Sequence, residues 1–172
     1  YLAAMRIMAS VSFASYYVVP DLFILISLKL VLLSLKHGNT DTSAMAYASC
    51  GVVLCYVSGD IERGYQLGQL GLNILERFAA AKFAAKTIFI FNNFIRHWKE
   101  PLANSLKPFQ TTFQLGLETG DLETAALSGF LYTCHAYCAG QELTKVTAQG
   151  LQYQQVITDL KQEITLHRNA IY

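Results

Sequence analysis

Charge is scarce: Asp, Glu, Lys and Arg make up 15% of the 172 residues, and 13 Lys plus Arg against 12 Asp plus Glu leave a net charge of +1. That balance excludes a globally basic nucleic-acid binder and an acidic solvating segment. A disordered tail is excluded as well, because 53% of the residues are hydrophobic, enough for a domain with a sizeable buried core. Recognisable catalytic motifs are missing too. There is no Gly-x₄-Gly-Lys-Ser/Thr phosphate loop, no Gly-x-Gly-x-x-Gly, no His-Glu-x-x-His and no Gly-x-Ser-x-Gly.

An uninterrupted apolar span of bilayer length is also lacking, although the mean hydropathy is +0.30. Leu22 to Leu35 covers about two-thirds of the ~20 residues needed, and Lys29 lies in its middle. Thr42 to Gly59 and Thr124 to Gln141 carry no charge, but their Ala, Ser, Thr, Gly and Cys content points to helix-on-helix packing. The chain opens on Tyr1 and closes on Asn169-Ala170-Ile171-Tyr172, so it reads as a piece of a longer protein, without an evident signal peptide. Cys50/Cys55 and Cys134/Cys138 fall in apolar helical stretches, as expected of reduced core residues in the cytoplasm.

What is present is regular punctuation. Pro20, Gly38, Gly59, Pro101, Gly120 and Gly140 stand close to multiples of twenty; only Ala79-Ala80-Ala81 and Thr158-Asp159-Leu160 lack a breaker where one is due. Apolar residues between the breaks recur at helical spacing, which predicts an all-α fold of about eight helices. Paired, they form hairpins 1–37, 41–78, 79–118 and 121–160 of a single domain, with 161–172 extending the last helix or starting another. Units of about forty residues stack as an α-solenoid.

The second hairpin is the most legible. A helix from Thr42 to Val57 ends at Ser58-Gly59-Asp60, where Gly59 suits the left-handed position after a helix and Asp60 the N-cap of the next. Gly64, Gly68 and Gly71 then share one stripe. Each mid-helix glycine costs roughly 0.5–1 kcal/mol relative to Ala, which is reasonable where a neighbouring backbone approaches closely. Ile61, Tyr65, Leu72 and Leu75 are expected beside the stripe. The pattern Gly59-Asp60-Ile61-x-x-Gly64-x₆-Gly71-Leu72 resembles the turn and second helix of a tetratricopeptide repeat, without that family's first-helix signature. Gly120-Asp121-Leu122-x-x-Ala125 opens the fourth hairpin similarly.

Two constellations were weighed as chemistry. Cys134-His135-x-x-Cys138 places two thiols one turn apart, but a closed zinc site needs about four ligands and no second pair stands nearby, so core cysteines are expected and no metal. His97 is followed by Trp98, whereas a phospho-accepting histidine would be followed by an acidic residue. A histidine at a helix C-terminus is the plainer reading. Arg77, Lys82, Lys86, Arg96, Lys99 and Lys107 are offset by Glu100 alone, with Phe83, Phe89, Phe91, Phe94 and Trp98 between them. Aromatics at helical spacing are usually core with the cations as a solvated rim, so an acidic protein surface is preferred to nucleic acid as the partner.

Leu33-Ser-Leu-Lys-His-Gly-Asn-Thr40, Ala46-Tyr-Ala-Ser-Cys-Gly-Val-Val-Leu-Cys55, Gly59-Asp-Ile-Glu-Arg-Gly-Tyr-Gln-Leu-Gly-Gln-Leu70, Phe91-Asn-Asn-Phe-Ile-Arg-His-Trp-Lys-Glu100 and Gly116-Leu-Glu-Thr-Gly-Asp-Leu-Glu123 together carry a family resemblance. They resemble the helical middle region of large multi-domain signalling kinases of the cyanobacterial type. In that family a serine/threonine kinase domain and an AAA-type ATPase module precede this region, and GAF and histidine-kinase domains follow. The resemblance spans about residues 20 to 160 and implies a helical arm beside a nucleotide switch. It brings no catalytic residue and no cofactor into this segment.

The function expected is therefore a non-catalytic helical-repeat module making protein or interdomain contacts in the cytoplasm, within an ATP-dependent kinase. Its partners would be the neighbouring ATPase, kinase or GAF domains or a signalling protein, with homo-oligomers allowed. The contact groove is expected from Tyr47, Asn92, Asn93, Arg96, His97 and Tyr132, with the substitution of Arg96 by Glu leaving the fold intact; Asn92 and Asn93 read equally well as buried amides that need hydrogen-bond partners. The alternative is a sensor pocket for a small apolar or aromatic ligand between hairpins, favoured by ten Tyr, ten Phe and the glycine stripe.

Overall fold

Pro20, Gly38, Gly59, Pro101, Gly120 and Gly140 all fall at helix boundaries in a computed structural model, which describes residues 1–78, 81–162 and 165. Among them are eight α-helices and no strand: α1 (Leu2–Val18), α2 (Pro20–His37), α3 (Ser43–Val53), α4 (Ile61–Phe78), α5 (Ala81–Ile90), α6 (Leu106–Thr119), α7 (Leu122–Cys138) and α8 (Leu143–Asp159). The boundary expected at 79–80 and nearly all of 161–172 lie outside the described residues. Among the described residues no helix is long and apolar enough to cross a membrane.

The Gly-Asp turns form as the sequence predicts. Gly59 has φ 68° and Gly120 φ 77°, a conformation that a Cβ would strain. Asp60 Oδ1 accepts the Arg63 backbone N–H at 3.1 Å, and Asp121 accepts the N–H and hydroxyl of Thr124 at 3.4 and 2.9 Å. Each carboxylate thereby satisfies a donor that the first turn leaves open.

Two first helices end early. α3 passes into a π-helical turn over Leu54–Ser58, and α5 into another over Phe91–Ile95 followed by a 3₁₀ turn at Arg96–Trp98. The expectation of regular helix up to Val57 and on toward Pro101 is corrected accordingly. In α5 the cause is local: Thr87-Ile88-Phe89-Ile90-Phe91 is β-branched and aromatic, and Asn92 follows, a residue whose amide competes for backbone partners. Asn92 Nδ2 donates to the Ile88 carbonyl at 2.7 Å.

The chain divides into two compact units, Tyr1–Ile95 and Arg96–Tyr172, so the expected hairpin 79–118 is shared between them. In the first unit α3 is central, packed on α2, α4 and α5, and every residue from Ser43 to Val53 is buried. Its Ala, Ser and Gly content is what lets helices close around it on several sides. Ala44, Tyr47, Ile74 and Leu75 form one part of the core, and Met5, Ile26, Leu30 and Ala46 another. Phe13, Tyr16, Phe23, Phe89 and Phe94 meet edge to face between them. Phe83, Phe89 and Phe91 are buried while Lys82 and Lys99 are exposed, as expected of a core and its rim, but Phe94 is half-buried, Trp98 exposed and Arg96 largely covered.

The glycine stripe faces inward, and its reason is steric. A Cβ on Gly71 would lie 2.6 Å from the Ala44 carbonyl oxygen, and one on Gly64 would strike Cys55 Sγ and lie 2.8 Å from the Gly51 oxygen. Gly68 differs: its Cβ would meet the side chains of Phe91 and Ile95 at 2.6 and 3.0 Å. Backbone approach thus accounts for Gly64 and Gly71, and side-chain filling for Gly68.

In the second unit α7 packs on α6 and α8, around Phe113, Ala125, Ala126, Tyr153 and Ile157. Cys50 and Cys55 are buried as expected, and burial raises both thiol pKa values. Cys138 is exposed and Cys134 half-buried, which corrects the expectation that all four thiols are core; α7 turns its last residues outward.

Candidate functional site

The six predicted contact residues do not share one kind of environment. Tyr47 is 4% exposed and donates its hydroxyl to Asn39 Oδ1 at 3.1 Å, and Asn92 is 2% exposed. Both are core residues of the first unit: Tyr47 is corrected from the contact role, and Asn92 takes the buried, hydrogen-bonded alternative. Asn93 is half-buried in the π turn of that unit. Arg96, His97 and Tyr132 belong to the second, where Tyr132 donates to Gln149 Oε1 at 2.7 Å and stacks at a tilt on Tyr153.

Arg96 is a brace. Its Nε donates to Glu100 Oε1 at 3.1 Å and its Nη1 to the Asn104 carbonyl at 2.9 Å, while Asn104 Nδ2 donates to Glu100 Oε2 at 2.9 Å. Three side chains thus tie the corner around Pro101, with Arg96 and Glu100 only 21% and 22% exposed. The expectation that Arg96→Glu leaves the fold intact is therefore corrected, since a carboxylate there would face Glu100 and abandon a carbonyl. His97 and the half-exposed Trp98 continue the corner outward.

A serine–histidine contact with no local sequence motif lies beside it. Ser105 Oγ is 2.7 Å from His135 Nδ1 and donates to the Leu102 carbonyl at 2.6 Å. Both bonds are satisfied when His135 carries its proton on Nδ1 and donates to the serine. Burial, followed by the nearby charge of His97, lowers the His135 pKa to about 4. The pair has the distance of a nucleophile and its base, but Ser105 is 1% exposed and its hydroxyl is already committed. It pins the 3₁₀ turn Leu102–Ser105 to α7. Residues thirty apart in sequence carry no local motif by which it could have been foreseen. No group of three or more His, Cys, Asp or Glu among the described residues could hold a metal ion.

In the first unit a hollow bordered by Tyr16, Phe23, Met45, Ser49, Ile90 and Phe94 encloses about 10 Å³, space for about one water molecule. Ser12 also borders it, and Ser49 Oγ is buried without a hydrogen-bond partner among the described residues. A pocket for an aromatic ligand needs hundreds of Å³.

An apolar feature of the first unit's surface is the outward face of α2. Leu22, Leu25, Leu28, Leu32 and Leu35 are 42–70% exposed, whereas the inward face carries Phe23, Ile26, Ser27, Leu30 and Ser34. The two inward serines are satisfied by their own helix, Ser27 on the Phe23 carbonyl and Ser34 on that of Leu30. α2 is thus at least as apolar outside as inside, the reverse of a solvent-facing helix. This stripe is readable in the sequence as leucines three and four apart, but tested only against bilayer length the run yields no surface.

No protein-family model, curated protein or solved structure matches the chain.

Proposed function

We propose that the chain is a non-catalytic, tetratricopeptide-like helical-repeat module that makes protein contacts, and that it serves as the helical arm of a cytoplasmic multi-domain signalling kinase. The observation that carries the contact role is the outward leucine face of α2, an apolar strip of about four turns held on a well-packed unit. The kinase setting rests on the resemblance of residues 20–160, under which the ATPase, kinase or GAF domains are the contacts in the same chain. A non-catalytic role accords with the closed Ser105–His135 pair, and the water-sized hollow gives the ligand-sensor alternative no support. Two measurements test the reading. The full reading frame should encode kinase and ATPase domains beside this segment; their absence removes the kinase setting. Leu25→Asp with Leu32→Asp should abolish binding to those domains, produced separately, while circular dichroism stays helical. Undiminished binding removes the α2 face from the proposal.

A further inference from the structure

The exposed positions of α2 are self-complementary when the helix is laid antiparallel on a copy of itself. They include Asp21, Leu22, Leu25, Leu28, Lys29, Leu32, Leu35 and Lys36, with Pro20 and His37 exposed at the two ends. With a two-fold axis between Leu28 and Lys29, Leu22 stands opposite the partner's Leu35, Leu25 opposite the partner's Leu32, and Asp21 opposite the partner's Lys36. The same contacts recur on the other side of the axis, as an isologous interface requires. The 3–4 spacing of the leucines, kept over about 22 Å of helix, is that of a helix–helix seam. Asp21 and Lys36 form no salt bridge with another described residue of their own chain, so each end of the seam offers a charge for which the copy supplies the opposite one.

We propose that two copies of this chain pair through α2, antiparallel, with the five leucines as the apolar seam and the Asp21–Lys36 pairs closing its two ends. This rests on the contact reading of the same face and names its partner. One residue works against the pair: Lys29 stands opposite the partner's Leu28, and because it adjoins the axis it lies close to the partner's Lys29, so the seam carries a built-in like-charge repulsion. That repulsion separates a second copy from an anionic lipid surface, for which Lys29 would be an asset.

Sedimentation equilibrium of the 172-residue chain across a concentration series tests the pairing. The expected result is a reversible dimer, reduced to monomer by Leu25→Asp with Leu32→Asp. Asp21→Lys weakens it about tenfold, and the charge swap Asp21→Lys with Lys36→Asp restores the wild-type constant. The swap touches only exposed positions, so it reads the interface even if the leucine variant loses its fold. Lys29→Gln should tighten the dimer. A wild-type chain that stays monomeric to its solubility limit, or a swap that does not restore what Asp21→Lys loses, overturns the proposal. A monomer that binds phosphatidylserine vesicles and loses that binding in Lys29→Gln assigns the face to lipid instead. A monomer that still captures the kinase or ATPase domains through Leu25 and Leu32 overturns the pairing and leaves the contact reading standing.

Discussion

Gly51 of α3 and Gly64 of α4 each occupy the space where the other's Cβ would stand. A Cβ on Gly51 would lie 2.6 Å from the Gly64 carbonyl oxygen, and one on Gly64 would lie 2.8 Å from that of Gly51. Two backbones in mutual contact leave no flexible side chain to move aside, so this crossing tolerates only glycine. It fixes α4 on the central helix and thereby seats the remainder of the stripe.

Gly64→Ala and Gly71→Ala should each destabilise the chain by about 1–3 kcal/mol, because the added methyl meets backbone. Gly68→Ala should cost less, since Phe91 and Ile95 can shift; Gly68→Leu, with far more to accommodate, should cost about 1–3 kcal/mol. Gly150→Ala in α8 is the contrast. Its methyl would sit 3.1 Å from Thr133 Cγ2, a contact that a small shift relieves, so the gain in helix propensity should leave it neutral to slightly stabilising. Urea midpoints order the four alanine variants, and equal losses at all four positions would remove backbone approach as the explanation.

Arg96→Glu should destabilise the second unit by about 1–3 kcal/mol, because it removes two hydrogen bonds from a guanidinium and sets two carboxylates together. Arg96→Lys, which keeps the charge but not the fork, should lie between wild type and Arg96→Glu. Limited proteolysis within 96–105 reads the same corner directly. A resistant Arg96→Glu chain with an unshifted melting temperature would return Arg96 to the contact surface.

Much of the fold was legible because its punctuation is chemical. Glycine at a positive φ and aspartate at an N-cap read out the Gly59–Asp60 and Gly120–Asp121 turns without help from distant residues. The glycine stripe was equally readable, since a spacing of four and then three can only line up on a helix. The π turn at Phe91–Ile95 has a local cause in the run Thr87–Asn92 that helical spacing of apolar residues does not register, and its benefit is tertiary: Phe91 and Ile95 lie over Gly68, far away in sequence. Tyr47 was misplaced and Asn92 left between two readings for a related reason. Polar side chains signal a surface in sequence, and only the partners of their polar atoms, Asn39 for one and the Ile88 carbonyl for the other, show how burial is tolerated.

Removing either capping carboxylate should cost about 0.5–2 kcal/mol. Asp121 accepts from two groups of Thr124, whereas Asp60 accepts one backbone N–H from Arg63 and its 3.5 Å ion pair with the exposed Arg63 guanidinium adds little, so Asp121→Ala should lose more than Asp60→Ala. Thermal melts of the two variants, with Asp→Asn at each site as the isosteric control, check the order. A larger loss at Asp60 would show that the hydroxyl of Thr124 contributes little.

His135 makes the stability depend on pH in a defined window. It titrates at about 4 in the folded chain, against an ordinary value of 6.5, because burial and then the charge of His97 oppose its protonation. Between those values the unfolded chain holds the extra proton, so the contribution is complete above pH 6.5 and is lost as pH falls through 6.5 toward 4. The loss should be about 1–2 kcal/mol, below the full conversion of the shift because part of the ring meets solvent. His135→Asn can keep a donor toward Ser105 Oγ but cannot titrate, so the difference between its melting temperature and that of the wild type should shift by several degrees from pH 7 to pH 4.5. Carboxylates titrate in both chains and cancel from that difference. A difference that stays constant with pH would mean that His135 is not the group held neutral by the fold.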